Sequence, residues 1–271
     1  MDNRVAQRSQ INQVSKSLSI ITVCRNEISR IQRTIDSVIQ QSDSNLEWVL
    51  VDGASTDGTL DLLQHYQPHI SYLVSEPDRG LYDAMNKGIG MATGEYILFL
   101  NAGDFLQNRE VVKAFHERAG TADIVVGDIH IVYPDGREKC RKSSEKNLDR
   151  ELLYWRSFDH QVTFIKRELF EKFGTYDLSF KILADWEFFA RVVVNHKASV
   201  EAWDHCVSVY TFDGISARLE NRQQLYLERQ RIRKMHYPAR YRWRRDFNEA
   251  WGAMIHNIRQ QIQQIRKPQC P

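Results

Sequence analysis

The chain has 271 residues, of which 42% are hydrophobic and 27% are charged, and its formal net charge is +2. This composition is typical of a globular protein and excludes a disordered or fibrous chain. No stretch approaches the ~20 consecutive apolar residues that span a bilayer, and the polar segment 1–17 lacks the apolar core of a signal peptide, so we expect a cytoplasmic protein.

Strand-like and helix-like segments alternate over the first hundred residues of the chain. Apolar runs predict strands, and apolar residues spaced three and four apart predict helices. The predicted strands are 18–24, 46–51, 70–74 and 95–100, and the predicted helices lie around 31–39, 60–66 and 82–91. This alternation, with its short polar loops, predicts an α/β fold with a mostly parallel central sheet flanked by helices.

The order of elements is less regular in the second half of the chain. The predicted helices there are 109–118, 167–173 and 184–192, and the predicted strands are 123–126, 160–165, 199–202 and 207–212. A Pro-Asp-Gly sequence within 133–137 predicts a hairpin turn between two short strands.

The C-terminal part of the chain is basic. Two Arg- and Gln-rich helices are predicted between 217 and 266, separated at Tyr237-Pro238, and the second carries an apolar stripe from Trp243 to Ile265. The predicted organisation is a polar segment 1–17, a main domain 18–214 with halves 18–104 and 105–214, and a basic helical extension 215–271.

Carboxylates lie directly behind two of the predicted strands, where the ligands of such sheets gather. Asp52 follows the second strand, and the turn Asn101-Ala102-Gly103-Asp104 follows the fourth. Mg²⁺ and Mn²⁺ prefer hard oxygen ligands such as carboxylates, so Asp104 is a candidate metal ligand. The alternative is that Asp104 only caps the helix that follows.

Five ordered blocks between Leu18 and about Val194 resemble those of glycosyltransferase family 2, whose enzymes have the Rossmann-like GT-A fold. The blocks are 19–23 with Asn26-Glu27, 51–59, 75–88, 92–97 and Ala184-Asp185. The block 76–88 and His160-Gln161 are similar in particular to bacterial exopolysaccharide enzymes of the colanic-acid type. The resemblance implies an inverting transfer of a sugar from a UDP- or GDP-linked donor to an acceptor hydroxyl, with Mg²⁺ or Mn²⁺ as cofactor.

The resemblance also implies a catalytic base and a metal ligand. Asp185 matches the position of the base that takes the acceptor hydroxyl proton, with Glu187 in reserve and a helix cap as the alternative. Asp104 matches the metal-binding position. The turn departs from the usual Asp-x-Asp of the family, because Asn101 and Gly103 stand where carboxylates are common.

A further set of residues is expected around the donor. Asp52 would accept the N–H of a uracil or guanine ring. Asp57 is alternatively a helix cap, and Lys87 either reaches phosphate or pairs with Asp83 one helical turn away. His160 is expected to contact the acceptor, the diphosphate or the metal, or to be a structural hydrogen-bonded residue. The nucleotide-sugar-binding candidates are Thr22, Asn26, Glu27, Asp52, Ser55, Asp57, Asp83, Lys87 and Asn101.

Two other functions compete with glycosyl transfer. A nucleotidyltransferase would want more metal-binding carboxylates and a glycine-rich phosphate loop, which 23–27 does not have. A binding protein would use the basic extension on nucleic acid or membrane. Given the family resemblance, we expect the first half of the main domain to bind the nucleotide sugar and the second half the acceptor.

The resemblance also bears on the basic extension. We expect it to hold the protein on the inner face of the cytoplasmic membrane, beside a glycan or lipid-linked oligosaccharide acceptor, and nucleic acid is not expected as a partner. The Ile-rich stripe leaves open whether the chain forms a homo-oligomer.

Overall fold

The computed structural model describes residues 17–118, 120–144, 147–211 and 221–246. The strands are β1 (Leu18–Cys24), β2 (Leu46–Asp52), β3 (Tyr72–Ser75), β4 (Tyr96–Phe99), β5 (Phe105–Leu106), β6 (Ile124–Val132), β7 (Glu138–Arg141), β8 (Thr163–Lys166) and β9 (Val200–Thr211). The α-helices are α1 (Ile31–Ile39), α2 (Thr59–His65), α3 (Leu81–Met91), α4 (Val111–Glu117), α5 (Leu152–Trp155), α6 (Arg167–Phe173), α7 (Ala184–Phe189) and α8 (Arg222–His236). Short 3₁₀ turns form at Gln67–His69 and His160–Val162, and α7 continues as a π-helix over Ala190–Asn195.

These strands form one sheet in the order β3-β2-β1-β4-β8-β6-β9-β5, and β7 pairs with the end of β6. The strands β3, β2, β1 and β4 are parallel to one another. Strand β8 is antiparallel to β4, and β6 is antiparallel to β8 but parallel to β9. The predicted α/β architecture is confirmed. The sheet is parallel in its first half and mixed in the second, where the predicted order of elements is less regular.

The central parallel strands β1 and β4 are buried on both faces. Every residue of β1 and of β4 is buried. Helix α1 covers the sheet with one face, on which Ile31, Ile35 and Val38 recur at helical spacing. Helix α3 packs so closely on β1 that a Cβ at Gly88 would lie 2.5 Å from Ile21 Cγ2, so only glycine fits there.

Two sequence predictions are wrong in the second half of the sheet. The strands expected at 199–202 and 207–212 are one strand, β9. Residues 203–205 form an irregularity opposite Gly127, and pairing with β6 resumes at Cys206. The strand expected from His160 begins at Thr163, and His160 lies in the 3₁₀ turn before it. The short elements β5 and α5 were not expected.

Helix α8 ends at His236, directly before Tyr237-Pro238, as predicted. Residues 239–246 begin the second helix. The apolar stripe beyond 246 and the segment 1–16 lie outside the described residues. In the ranges that are described, no helix is long and apolar enough to cross a bilayer. The side chains of α8 that are buried are Glu228, Ile232, Arg233 and His236.

Candidate active site

Asp52 lies at the carboxyl end of β2, between the ends of β1 and β3, and is fully buried. Its Oδ1 accepts hydrogen bonds from the Ser55 hydroxyl and from the Cys24 thiol, the latter at 3.6 Å. Its Oδ2 accepts from the Ser75 hydroxyl at 2.6 Å and from the Ser55 N–H at 3.0 Å. Any further donor to this carboxylate would have to replace one of the serine hydroxyls, which are free to rotate.

The loop after β1 is tied to the loop after β2 by side-chain hydrogen bonds. The Asn26 N–H donates to Ser55 Oγ at 2.8 Å, and Asn26 Oδ1 accepts the Thr56 N–H at 2.9 Å. Asn26 has φ 56°, a left-handed conformation that asparagine tolerates better than most residues. The Glu27 carboxylate forms two 2.7 Å hydrogen bonds with the Arg30 guanidinium. Asn26 and Ser55 thus meet, as expected for residues of one crevice.

Two of the candidate donor residues have structural partners in this edge of the sheet. Thr22 is fully buried, and its hydroxyl accepts the Trp48 Nε1–H at 3.0 Å, so it does not face the crevice. The Asp57 carboxylate accepts the Thr59 hydroxyl at 2.6 Å, the Thr59 N–H at 3.0 Å and the Ile28 N–H at 3.1 Å. The Thr59 hydrogen bond lowers the pKa of Asp57. The cap position of α2 is Gly58, and Asp57 holds the start of that helix through Thr59, which is a structural role of the kind that the capping alternative describes.

The two charged candidates on α3 do not pair with each other, which corrects that alternative. Asp83 accepts from the Arg79 side chain at 2.8 Å and from the Arg79 N–H at 3.0 Å, and this lowers the pKa of Asp83. Lys87 Nζ lies 2.8 Å from Glu76 Oε1 and donates to the Pro77 carbonyl at 2.8 Å. Both residues therefore anchor the loop between β3 and α3.

That loop, residues 76–80, lies directly over the turn that follows Asp52. A Cβ at Gly53 would be 2.2 Å from Asp78 Oδ2 and 3.2 Å from the Arg25 Cβ. A side chain at this position would displace the Asp78 carboxylate and press on Arg25, because the loops behind β1 and β3 both approach the turn. The ends of the three parallel strands are thus enclosed by polar loops.

A row of hydrogen bonds connects the turn behind β4 with the start of α7. Asn101 Nδ2 lies 3.0 Å from His160 Nε2, and His160 Nδ1 lies 3.4 Å from Asp185 Oδ2. Asp185 Oδ1 accepts the Tyr82 O–H at 2.9 Å and the Trp186 N–H at 2.9 Å. The contacts fit a neutral imidazole that accepts at Nε2 and donates from Nδ1 to the carboxylate.

The surroundings of His160 are negatively charged. Burial by itself would lower the pKa of His160, but the hydrogen bond to Asp185 and the charges of Asp185, Asp104 and Asp159 outweigh it, and the pKa is raised. Asp104 and Asp185 therefore both lie close enough to His160 for their charges to act on it.

Asp104 is 8% exposed and lies in a turn held by α1. The Thr34 hydroxyl donates to the Asp104 carbonyl at 2.7 Å and accepts the Gly103 N–H at 2.9 Å. Gly103 has φ 100°, a backbone conformation that residues with a side chain rarely adopt. The helix expected to be capped by Asp104 is α4, and its cap position is Glu110. The helix-cap alternative for Asp104 is therefore wrong.

The turn offers two oxygen donors to a cation. These are the Asp104 carboxylate and Asn101 Oδ1, which is buried and accepts no hydrogen bond from the described residues. Over the described part of the chain, no three His, Cys, Asp or Glu side chains group as a metal site. A cation here would need additional ligands from a bound substrate.

Tyr82 contacts Asp185 but is not among the predicted site residues, and Glu187 is the predicted reserve base. Tyr82 belongs to the third family block, but nothing in its spacing indicated contact with Asp185 at the start of α7. Glu187 is buried. Its Oε2 lies 2.8 Å from Arg191 Nη2 and its Oε1 lies 3.1 Å from His236 Nε2, so the carboxylate is already paired within the protein. The structure does not support Glu187 as the reserve base.

Comparison with known proteins bears on the same part of the chain. The family model for Glycosyl transferase family 2 matches residues 19–174. The matched range includes every candidate from Thr22 to His160 and ends before Asp185. A PGL/p-HBAD biosynthesis glycosyltransferase of Mycobacterium tuberculosis is 35% identical over 215 residues, which cover 76% of this chain and 82% of that relative. These matches do not favour the nucleotidyltransferase or the nucleic-acid-binding alternative.

Solved structures with a similar fold have lower sequence identity. The crystal structure of S. aureus TarS 1–349 in complex with UDP-GlcNAc has a TM-score of 0.58 and 20% identity, and the match covers 72% of this chain and 58% of TarS 1–349. The mannosyltransferase PcManGT from Pyrobaculum calidifontis, in complex with GDP-Man and Mn²⁺, has a TM-score of 0.56 and 22% identity, with coverages of 74% and 58%. This chain thus spans less than two thirds of either solved chain.

Proposed function

Because this chain belongs to glycosyltransferase family 2, we propose that it moves a sugar from a UDP- or GDP-linked donor to an acceptor hydroxyl, with inversion at the anomeric carbon. The observation that carries this proposal is the row of hydrogen bonds from Asn101 through His160 to Asp185. It joins the turn that holds the candidate metal ligand to the candidate base. The group that would bind the donor diphosphate and the group that would activate the acceptor then lie close together, as a single displacement requires.

In the proposed reaction Asp185 acts as the general base. It takes the proton from the acceptor hydroxyl while the hydroxyl oxygen bonds to the anomeric carbon. The bond from that carbon to the diphosphate oxygen breaks on the opposite face, and the nucleoside diphosphate leaves with the electron pair. Tyr82 and His160 orient the carboxylate through hydrogen bonds to its two oxygens.

The donor nucleotide is proposed to bind at the ends of β1, β2 and β3. Asp52 would hold the base, with Asn26 and Ser55 beside it. Loop 76–80, anchored by the Asp83 and Lys87 contacts, would form the wall over the ribose and diphosphate. TarS was solved with UDP-GlcNAc and PcManGT with GDP-Man, so both nucleotides are candidates here.

We further propose that Mg²⁺ or Mn²⁺ binds at the turn behind β4 through Asp104 and the Asn101 amide oxygen. The buried Asn101 Oδ1 supports this, because a buried acceptor without a donor costs free energy that a ligand relieves. A bound cation would neutralise the charge that develops on the diphosphate leaving group. Since the turn has one carboxylate, the diphosphate must supply further ligands, and cation and nucleotide should bind together.

A glycan or lipid-linked oligosaccharide of bacterial surface-glycan assembly is the proposed acceptor. The mycobacterial relative is named for PGL/p-HBAD biosynthesis, which supports a biosynthetic role. Helix α8 exposes Tyr226, Leu227 and Met235 among basic residues, and this combination supports peripheral binding to an anionic membrane.

The proposal is tested by calorimetric titration with UDP and with GDP, each with and without Mn²⁺. We expect one nucleotide to bind, and Mn²⁺ to strengthen its binding. The variant Asp104→Ala should lose at least ~10-fold in affinity in the presence of Mn²⁺, because a direct metal ligand is removed. Without Mn²⁺, the variant and the wild type should bind the nucleotide equally.

The matched control is Asp61→Asn, an exposed carboxylate on α2 away from this turn. It should titrate like the wild type. If neither nucleotide binds the wild type, the donor assignment is wrong. If Asp104→Ala keeps the full Mn²⁺ effect, the cation binds elsewhere.

A further inference from the structure

The carboxylate of Glu228 on α8 faces the loop that leads into α7. Glu228 is 3% exposed. Its Oε1 accepts the Lys181 N–H at 2.7 Å, and its Oε2 accepts the N–H groups of Ile182 and Leu183 at 3.1 and 2.9 Å. Gln224, one turn earlier on α8, donates to the same carboxylate at 2.7 Å. Three consecutive backbone amides therefore converge on one buried anion.

This loop determines where the candidate base lies. Leu183 immediately precedes α7, and Asp185 is the second residue of that helix. The Ile182 carbonyl lies 2.6 Å from the Tyr82 hydroxyl oxygen, and the same hydroxyl lies 2.9 Å from Asp185 Oδ1. A movement of the loop would displace both the carboxylate and one of the groups that orient it.

Other contacts hold α8 on the domain without touching this loop. Ile232 is fully buried, and Arg233 Nε donates to the Tyr154 carbonyl at 3.0 Å. At the end of the helix, His236 Nε2 lies 3.1 Å from Glu187 Oε1. Helix α8 therefore has docking contacts besides the Glu228 carboxylate, whose own partners are the loop amides and Gln224 of the same helix.

We infer that Glu228 is a positioning residue, which holds the loop 181–183 so that Asp185 keeps its place in the active site. The inference rests on the proposed function, because it requires Asp185 to be the base. It makes α8, the first part of the basic extension, a component of the active site. A displacement of about 1 Å at a reacting group is enough to cost about 100-fold in rate, so a loop anchor of this kind has a measurable effect.

The test compares Glu228→Gln with Ile232→Ala in the full-length protein. Glutamine keeps the shape of the side chain, but its NH₂ group cannot accept the loop N–H groups. The control shortens a fully buried side chain of the same helix and leaves the loop contacts in place. Hydrogen–deuterium exchange of the peptide that covers 181–183 reports on the anchor, and melting temperatures report the loss of stability in each variant.

We expect the loop amides to exchange at least ~10-fold faster in Glu228→Gln than in Ile232→Ala. Turnover is measured as release of UDP or GDP from UDP-glucose, UDP-GlcNAc and GDP-mannose, with water as the acceptor of the sugar. For the donor that the wild type uses, kcat should fall ~10- to 100-fold in Glu228→Gln, while the donor KM and the nucleotide Kd stay unchanged.

Equal exchange rates or an equal loss of kcat in the two variants would overturn the inference. Asp185→Asn separates this failure from failure of the proposed function. If Asp185→Asn retains the wild-type kcat, Asp185 is not the base and both assignments fall. If Asp185→Asn is inactive while Glu228→Gln behaves like Ile232→Ala, only the positioning role is lost.

Discussion

The two carboxylate oxygens of Asp185 differ in their hydrogen bonds. Oδ1 accepts the Trp186 N–H at 2.9 Å and also lies 2.9 Å from the Tyr82 hydroxyl, whose single proton it shares with the Ile182 carbonyl. Among the described residues, Oδ2 faces His160 at the longer distance of 3.4 Å. A carboxylate oxygen has room for two donors, so in the proposed reaction Oδ2 would be the atom that receives the acceptor hydroxyl. The hydrogen-bonding pattern thus favours one specific oxygen for proton transfer.

This assignment predicts different effects for two substitutions. Asp185→Asn removes the base and should lower kcat about 10²- to 10⁴-fold. His160→Gln removes one orienting group but keeps the carboxylate, so kcat should fall only about 10-fold. Neither substitution should change the affinity for the donor nucleotide. Steady-state turnover and calorimetric titration measure the two quantities.

Glu168→Gln is the control for these two substitutions, because Glu168 is a partly exposed surface residue on α6 whose carboxylate pairs with Lys172. Its kcat should equal that of the wild type. A fully active Asp185→Asn would contradict the base assignment. If His160→Gln were as inactive as Asp185→Asn, the role of His160 would be more than orientation of the carboxylate.

At the scale of elements, a buried ion cluster joins α7 to α8. Glu187 on α7 accepts from Arg191 on the following π-helix and from His236 on α8. Burial by itself would raise the pKa of Glu187, but hydrogen bonds from His236 and Arg191 outweigh it, and the pKa lies below its ordinary value of 4.5. The cluster therefore stabilises the docked helix as long as the carboxylate is ionised.

The lowered pKa of Glu187 predicts an acid-dependent loss of stability. A carboxylate with a lowered folded-state pKa contributes fully above its unfolded-state pKa, and the contribution disappears as the pH falls from about 4.5 through the folded-state value. Glu187→Gln should cost ~3 kcal/mol of unfolding free energy at pH 7, because it leaves Arg191 without its ion-pair partner. The difference from the wild type should shrink below about pH 4.5. Urea unfolding at pH 7 and at lower pH measures it, and a constant difference would contradict the expectation.

At the scale of the whole molecule, the surface proposed to bind a membrane begins on α8, the helix that also carries Glu228. Within residues 221–246, the exposed apolar side chains are Tyr226, Leu227, Met235 and Trp243, and Trp243 is 72% exposed. Basic residues are interleaved with them in the sequence. Apolar and basic side chains together favour the surface of an anionic bilayer, and the electrostatic part of the attraction weakens with salt.

We therefore expect the purified protein to bind anionic vesicles at low salt and to be released by high salt. Neutral vesicles should bind less protein. The double substitution Leu227→Glu and Met235→Glu should reduce binding by at least ~10-fold, because apolar contacts are lost and negative charge is added. Tyr72→Glu is the control, since Tyr72 is an exposed apolar residue on β3. Vesicle sedimentation measures binding, and indifference to anionic vesicles would contradict the membrane proposal.

Local patterns in the sequence determined the parallel half of the fold and the positions of the polar turns. The apolar runs of β1, β2 and β4 and the helical spacing of α1 and α3 are properties of neighbouring residues, so they can be predicted without knowledge of the contacts between elements. The sequence predicts two strands in place of β9 because Trp203, Asp204 and His205 do not continue the apolar pattern. Its continuity depends on pairing with β6, which is distant in the sequence.

The sequence by itself determined the family, the α/β fold class and the turns in which the candidate residues lie. Only the tertiary structure decided which of those residues meet. Thr22 lies near the strand end, yet its hydroxyl is held by Trp48 inside the sheet. Tyr82 reaches Asp185 across 103 positions, and Glu228 reaches the preceding loop across 45 to 47 positions. Such contacts depend on how distant elements pack, and no local pattern of residues contains that information.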